Sequence, residues 1–275
     1  MKTLYVTDLD GTLLNSQCRL SDYTVRTINE LVESGVLFTY ATARSLSSAS
    51  KAAAGLSARI PIIAYNGAMT VEPSNGRVLS MESFSAADTQ RVVDELRRLH
   101  ISPLVYSIID SRQRVSWVRG RETEGVSHYI ESRRGDDRLR PLAGEDGLFD
   151  GEVFYFTCIG EKSQLEPLYE ALSDDERFVC TLQQEIYREE YWCEIMPKGA
   201  TKARAIKRLS KLWGCERIVS FGDAINDLSM FAVSDECYAV ANAVDELKSR
   251  ATAVIDTNDA DGVARWMAEH AVEFE

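Results

Sequence analysis

Leu4-Tyr5-Val6-Thr7-Asp8-Leu9-Asp10-Gly11-Thr12-Leu13 is the stretch from which the rest of this chain is read. Its first four residues form a short β-favouring apolar run, the composition of a buried strand. Where that run ends, two carboxylates stand one residue apart, followed by Gly11 and Thr12. In open α/β sheets ligands collect at the carboxyl ends of the strands. On a continuing strand Asp8 and Asp10 would share a face. Adjacent acids repel unless a cation or a shared proton compensates them. The competing reading is an ordinary Asp-Gly turn, with an acid capping a turn or a helix.

Working outward, Ser21 or Asp22 can cap a helix to about residue 34, with Val25, Ile28, Leu31 and Val32 on one face and Gly35 as its stop. Residues 36–41 read as a second buried strand ending in Thr42-Ala43-Arg44, and Ser45 opens a helix to about 55. Residues 60–64 are a third strand, ending in Tyr65-Asn66-Gly67. Repeated strand, polar element and helix or turn is the βαβ signature of a doubly wound parallel sheet, so the expected fold is α/β with a Rossmann-like core.

The pattern then changes. A β-hairpin over 69–71 and 77–81 leads into helices, adjacent strands and a polar, Gly-rich stretch at 133–151. Adjacent strands with grouped helices suggest an α+β module. Alternation returns with a strand at 192–196 and a helix at 200–213, with Ile206, Leu209 and Leu212 inward and Gly214 as its end. A strand at 217–221 then runs into Gly222-Asp223. The expected domains are a core of residues 1–82 and 191–275, interrupted by an α+β cap over 83–190.

At 275 residues, 45% hydrophobic and 27% charged, the chain has the composition of an ordinary globular protein. No apolar run approaches the roughly 18 residues of a bilayer span. No basic segment leads into a long apolar core at the start, so no secretory signal is read and the expected location is the cytoplasm. The cysteines Cys18, Cys158, Cys180, Cys193, Cys215 and Cys237 form no CxxC pair, which points to reduced, mostly buried thiols. His100, His128 and His270 are scattered and read as surface residues. A net charge of −12 argues against general binding of nucleic acid. The basic cluster Arg133, Arg134, Arg138 and Arg140 is interleaved with Asp136 and Asp137 and reads as a solvated face.

Four polar elements fall at strand ends or helix starts of the alternating part: Asp8 with Asp10, Thr42 with Arg44, Lys198 or Lys202, and Asp223 with Asn226 and Asp227. Each alone has a plain structural explanation as a turn, a cap or a surface charge. In this order and spacing they resemble the haloacid dehalogenase-like hydrolases, most closely the Cof-type phosphatases with a large α+β cap. Asn66-Gly67-Ala68 and Ala241-Asn242-Ala243 also match patterns common in that subgroup. The resemblance spans the core, whereas the cap matches in size and element order. Ala43 and Ala203 each stand where the family usually has Gly; both are small, and neither change removes a functional group.

The resemblance implies a Mg²⁺-dependent phosphatase of small phosphorylated metabolites, such as sugar phosphates or phosphorylated cofactors. Asp8 would be the nucleophile that forms an aspartyl-phosphate. Asp10 would protonate the leaving alcohol and then deprotonate water. Asp8 and Asp223 would give the metal carboxylates, Asp10 its backbone carbonyl, and Asp227 a ligand directly or through water. Thr42, Ala43 and Asn226 would contact the phosphate. Lys202 would neutralise charge on the phosphoryl group and Asp8, with Lys198 as the alternative. Cap aromatics such as Tyr106, Trp117, Tyr155 and Tyr187, with Arg112, Arg114 and Arg119, are candidate substrate selectors or simply packing. A phosphomutase would keep the aspartyl-phosphate and return the group to a second hydroxyl, and a non-catalytic ligand-binding protein could keep the fold alone.

Overall fold

The computed structural model describes residues 1–184 and 188–271; Tyr187, one of the aromatics considered above, lies outside them. The chain divides into two compact units, Met1–Met81 with Ala200–Glu275, and Glu82–Gly199.

The first unit is built on an eight-stranded sheet. Its strands and helices before the interruption are β1 (Thr3–Thr7), α1 (Asp22–Glu33), β2 (Leu37–Ala41), α2 (Leu46–Ala52), β3 (Ile62–Ala64), β4 (Met69–Glu72) and β5 (Arg77–Met81). The second unit carries α3 (Ala86–Arg98), β6 (Leu104–Ile109), β7 (Arg112–Val118), α4 (Glu124–Glu131), β8 (Leu139–Leu142), β9 (Glu152–Gly160), α5 (Lys162–Ser173), β10 (Phe178–Gln184) and β11 (Tyr191–Pro197). The first unit resumes with α6 (Lys202–Trp213), β12 (Arg217–Gly222), α7 (Leu228–Phe231), β13 (Glu236–Val240), α8 (Asp245–Lys248), β14 (Ala253–Ile255) and α9 (Gly262–His270).

The first sheet runs β14-β13-β12-β1-β2-β3-β4-β5. Its strands from β14 to β3 are parallel, and β4 and β5 close the far edge antiparallel. All five residues of β1 are buried, as a central strand covered on both faces requires. β12 and β2 flank it, with Val6 opposite Ser220 on one side and Thr39 on the other. The strand order reverses at β1, so the end of β1 faces the crevice where α/β proteins bind ligands. Helix starts follow the sequence signals: Ser21 caps α1, Ser45 caps α2 and Thr201 caps α6 through their side-chain oxygens. Gly214, in the left-handed region, closes α6.

The second unit has a six-stranded sheet, β10-β11-β9-β6-β7-β8, antiparallel except for β7 with β8. Its core sets Val92 and Leu96 of α3 and Leu165, Leu168 and Leu172 of α5 together with Phe156, Cys193 and Ile195 of the sheet.

Three expectations need correction. The unit boundary falls after Gly199 rather than near Glu190, because β11 pairs with β9 and β10 and so belongs to the second sheet. Strand β8 lies inside the stretch read as irregular. Leu212 is 60% exposed instead of inward, since α6 buries Ala205, Ile206, Leu209 and Ser210, and position 212 rotates off that stripe.

Candidate active site

The site forms where β1 stops. The chain does not continue as a strand to carry both acids on one face: immediately after Asp8 it bends through Leu9–Leu13, with Gly11 at φ +78°. A Cβ at Gly11 would lie 2.3 Å from Asp223 Oδ2, so this position requires glycine both for its conformation and for the close approach. Asp8 itself is buried, and its backbone N–H donates to Phe221 O of β12 at 3.0 Å. Asp10 points into a more open environment, 46% exposed.

Asp223 follows β12 directly, and its Oδ1 accepts from the Thr12 hydroxyl at 2.7 Å. Asp227 is fully buried in the turn that opens α7. One of its carboxylate oxygens accepts from the backbone N–H groups of Asp223 (3.0 Å) and Ala224 (3.2 Å). The other accepts from Lys202 Nζ at 2.8 Å. Lys202 is 2% exposed and also donates to Asp8 Oδ1 at 2.5 Å. Asp227 therefore aims Lys202 and fixes the Asp223 loop.

Lys202 is the first residue of α6, and Gly67 sets where that helix begins. A Cβ on Gly67 would lie 2.3 Å from the carbonyl oxygen of Thr201, the cap of α6. The Asn66-Gly67-Ala68 motif thus packs its turn against the helix start that carries the lysine. Asn242 plays a similar part at the other motif, donating to Gly11 O at 2.7 Å. Lys198, the alternative lysine, is exposed and lies 3.5 Å from Glu176 within the second unit.

Thr42 is buried at the end of β2, and its hydroxyl oxygen accepts from the Arg44 N–H at 3.1 Å. The hydroxyl proton remains available to a ligand. Ala43, in the bend after β2, and Asn226, in the turn that precedes α7, are exposed. Arg44 grips Asp10 with a two-pronged fork, Nε to Oδ2 at 2.7 Å and Nη2 to Oδ1 at 2.5 Å, and its Nη1 reaches Ser48 of α2 at 3.3 Å. Sequence reading placed Arg44 in a motif without giving it this role. Thr12, 211 residues from its partner, was also missed, and its place in the opening motif was the available signal.

Carboxylate oxygens of Asp8, Asp223 and Asp227 lie within 4.8 Å of one another, the one such acidic group among the described residues. Burial pushes the Asp8 carboxyl up to about 8 despite the opposing pull of Lys202. Burial raises Asp223 to about 6, offset in part by the Thr12 hydroxyl. Burial alone would discharge Lys202, but the charges of Asp8 and Asp227 outweigh it and hold the ammonium well above its ordinary range. Three carboxylates facing one lysine leave negative charge undercompensated. An all-oxygen donor set of this kind fits a hard divalent cation.

A family model described as haloacid dehalogenase-like hydrolase matches residues 5–267, and the chain belongs to that family. It is 28% identical over 279 residues to a 5-amino-6-(5-phospho-D-ribitylamino)uracil phosphatase of Bacillus subtilis (strain 168), covering 94% of this chain and 95% of that protein. It is 24% identical over 279 residues to the pyridoxal phosphate phosphatase of Escherichia coli (strain K12), covering 96% and 97%. A solved structure from Thermotoga maritima matches with a TM-score of 0.78 at 25% identity, covering 99% of this chain and 98% of that one. The family and the doubly wound α/β core expected from the sequence are both borne out. No helix among the described residues is long and apolar enough to cross a membrane.

Proposed function

We propose that this chain is a Mg²⁺-dependent phosphatase of small phosphorylated metabolites, acting through an aspartyl-phosphate on Asp8. The observation that carries this reading is the buried Asp8 carboxylate, held at 2.5 Å by Lys202 and set among Asp223 and Asp227. Asp8, Asp223 and the carbonyl of Asp10 would hold the cation, with Asp227 directly or through water. When bound, Mg²⁺ supplies the positive charge that lets a carboxylate approach a dianionic phosphate.

The residues then divide the work. Asp8 attacks phosphorus as the bond to the leaving oxygen breaks, and Asp10 gives that oxygen a proton. Water attacks phosphorus of the aspartyl-phosphate, Asp10 takes its proton, and Asp8 is regenerated. Thr42 donates its hydroxyl proton to a phosphoryl oxygen, and Ala43 and Asn226 are the further phosphate contacts of this proposal. Lys202 stabilises the charge that develops. Arg44 keeps the exposed Asp10 carboxylate from swinging free.

The second unit is proposed as the substrate-selecting cap. Tyr106, Trp117 and Tyr155 are buried in it and contribute to its packing. The phosphatases named above act on a phosphoribitylamino-pyrimidine and on pyridoxal phosphate, which supports a phosphorylated metabolite with a ring-bearing organic part. The test is phosphate release from a panel of sugar phosphates and phosphorylated cofactors, with Mg²⁺ and without any bisphosphate activator. Hydrolysis of at least one with simple saturation is expected. Turnover only with a bisphosphate present would identify a mutase, and no turnover of any monoester would overturn the catalytic reading.

A further inference from the structure

Three thiols, Cys158, Cys180 and Cys193, sit on neighbouring strands of the second sheet, and the proposed chemistry uses none of them. Cys193 of β11 lies opposite Cys158 of β9 and diagonally across from Cys180 of β10, since Cys180 pairs with Ile195 and Leu182 pairs with Cys193. The Sγ atoms of Cys180 and Cys193 are 3.8 Å apart. Cys158 and Cys193 are fully buried, whereas Cys180 is half-buried.

We propose that Cys180 and Cys193 form an oxidation site, closing to a reversible disulfide when the protein meets a peroxide. Cys180 is the entry point, because it alone of the three has solvent exposure. Its sulfur attacks one peroxide oxygen, the O–O bond breaks, and a sulfenic acid and water result. The Cys193 sulfur then attacks the Cys180 sulfur, loses its proton and expels the sulfenic oxygen as a second water. Overall, two thiols are oxidised to one disulfide, and one peroxide is reduced to two waters.

The strand arrangement permits this closure and makes it reversible. A disulfide bond is about 2.05 Å long, so the sulfurs must approach by roughly 1.8 Å. Among the described residues β10 is the edge strand of its sheet and pairs only with β11, so it can shift without breaking a second ladder. Diagonal neighbours sit farther apart than the backbone spacing a relaxed disulfide prefers. The bridge is therefore strained and open to thiol reduction. The first step falls on Cys180 rather than Cys158, because Cys158 is fully buried and the close sulfur pair that includes a partly exposed thiol is Cys180–Cys193.

The test uses the full chain treated with hydrogen peroxide, digested without reductant and mapped by mass spectrometry. Exposed Cys18 serves as the internal gauge of oxidant dose. At a dose that modifies most Cys18, most chains should carry a Cys180–Cys193 linked peptide, two hydrogens lighter and released by dithiothreitol. In Cys193→Ala the link should vanish and a dimedone adduct should appear on Cys180. Full oxidation of Cys18 with Cys180 and Cys193 still alkylatable as thiols after unfolding would overturn the proposal, as would a link between Cys158 and Cys193. The native-chain measurement stands even if the variant fails to fold.

Discussion

The two sheets of this molecule treat charge in opposite ways. In the antiparallel sheet unit, several acids are met by arginines in wholly or partly exposed ion pairs: Arg138 with Asp136, Arg140 with Asp150, and Glu145 shared by Arg97 and Arg121. At the end of the central parallel strand, three acids converge on a single buried lysine. Exposed pairs contribute little to stability, because solvent already screens their charges. The buried cluster retains unmet charge, and that imbalance is what a cation and a phosphate can exploit. Two lysines four residues apart show the contrast: Lys198 is 54% exposed beside Glu176, and Lys202 is 2% exposed between Asp8 and Asp227.

The lysine pair offers the sharpest way to break the comparison. Lys202→Ala should lower kcat by about 10²-fold or more, the scale of losing a charge-stabilising donor. Lys198→Ala should stay within about twofold, as expected of a residue whose partner is a surface acid. Steady-state kinetics on one substrate read both, and similar losses in the two variants would erase the distinction.

Next in size is Arg44. If its fork presents Asp10 to the leaving oxygen, Arg44→Gln should cost about tenfold on an alkyl phosphate, a part of the roughly 10²- to 10⁴-fold that general acid catalysis contributes. The loss should be smaller on p-nitrophenyl phosphate, whose leaving group needs no proton. Equal losses on both substrates would make Arg44 a phosphate contact or a structural residue instead.

A smaller effect follows from the raised carboxyls. Asp8 and Asp223 rise from 3.8 when unfolded to about 8 and about 6 in the fold, so the metal-free folded state binds more protons than the unfolded one. Their contribution to stability is fully present below the unfolded value and is lost as pH rises through the folded values. Without metal, the melting temperature should therefore fall between pH 4 and pH 8. Mg²⁺ should restore more of it at pH 8 than at pH 5. Thermal denaturation with and without chelator reads this directly, and a Mg²⁺ shift equal at both pH values would contradict it. The smallest effect belongs to the second unit: Arg134→Ala, which removes a largely exposed pair with Glu131, should move the melting temperature by less than about 1 °C.

What the sequence made legible follows from the same contrast. Buried parallel strands are short apolar runs, so β1, β2 and β12 could be read with the acids and hydroxyls that follow them. Asp8, Thr42 and Asp223 were visible for that reason, whereas Lys202 was visible only through the family resemblance, with Lys198 as the alternative. β8, Leu-Arg-Pro-Leu, is half-buried without alternation and contains Pro141, and its local signal is that of a loop. β11 reads as a strand wherever it goes, and only its pairing with β9 and β10, a non-local property, reveals its sheet. The Arg44–Asp10 fork joins residues 34 apart, across a bend that no local pattern encodes.

The central claim rests on Asp8. Phosphate release from the best substrate should be compared for the native protein and Asp8→Asn, each with Mg²⁺ and with chelator. The account predicts Mg²⁺-dependent turnover by the native protein and a loss of about 10³-fold or more in Asp8→Asn, since the nucleophile is removed. Comparable turnover by the folded Asp8→Asn protein would contradict it.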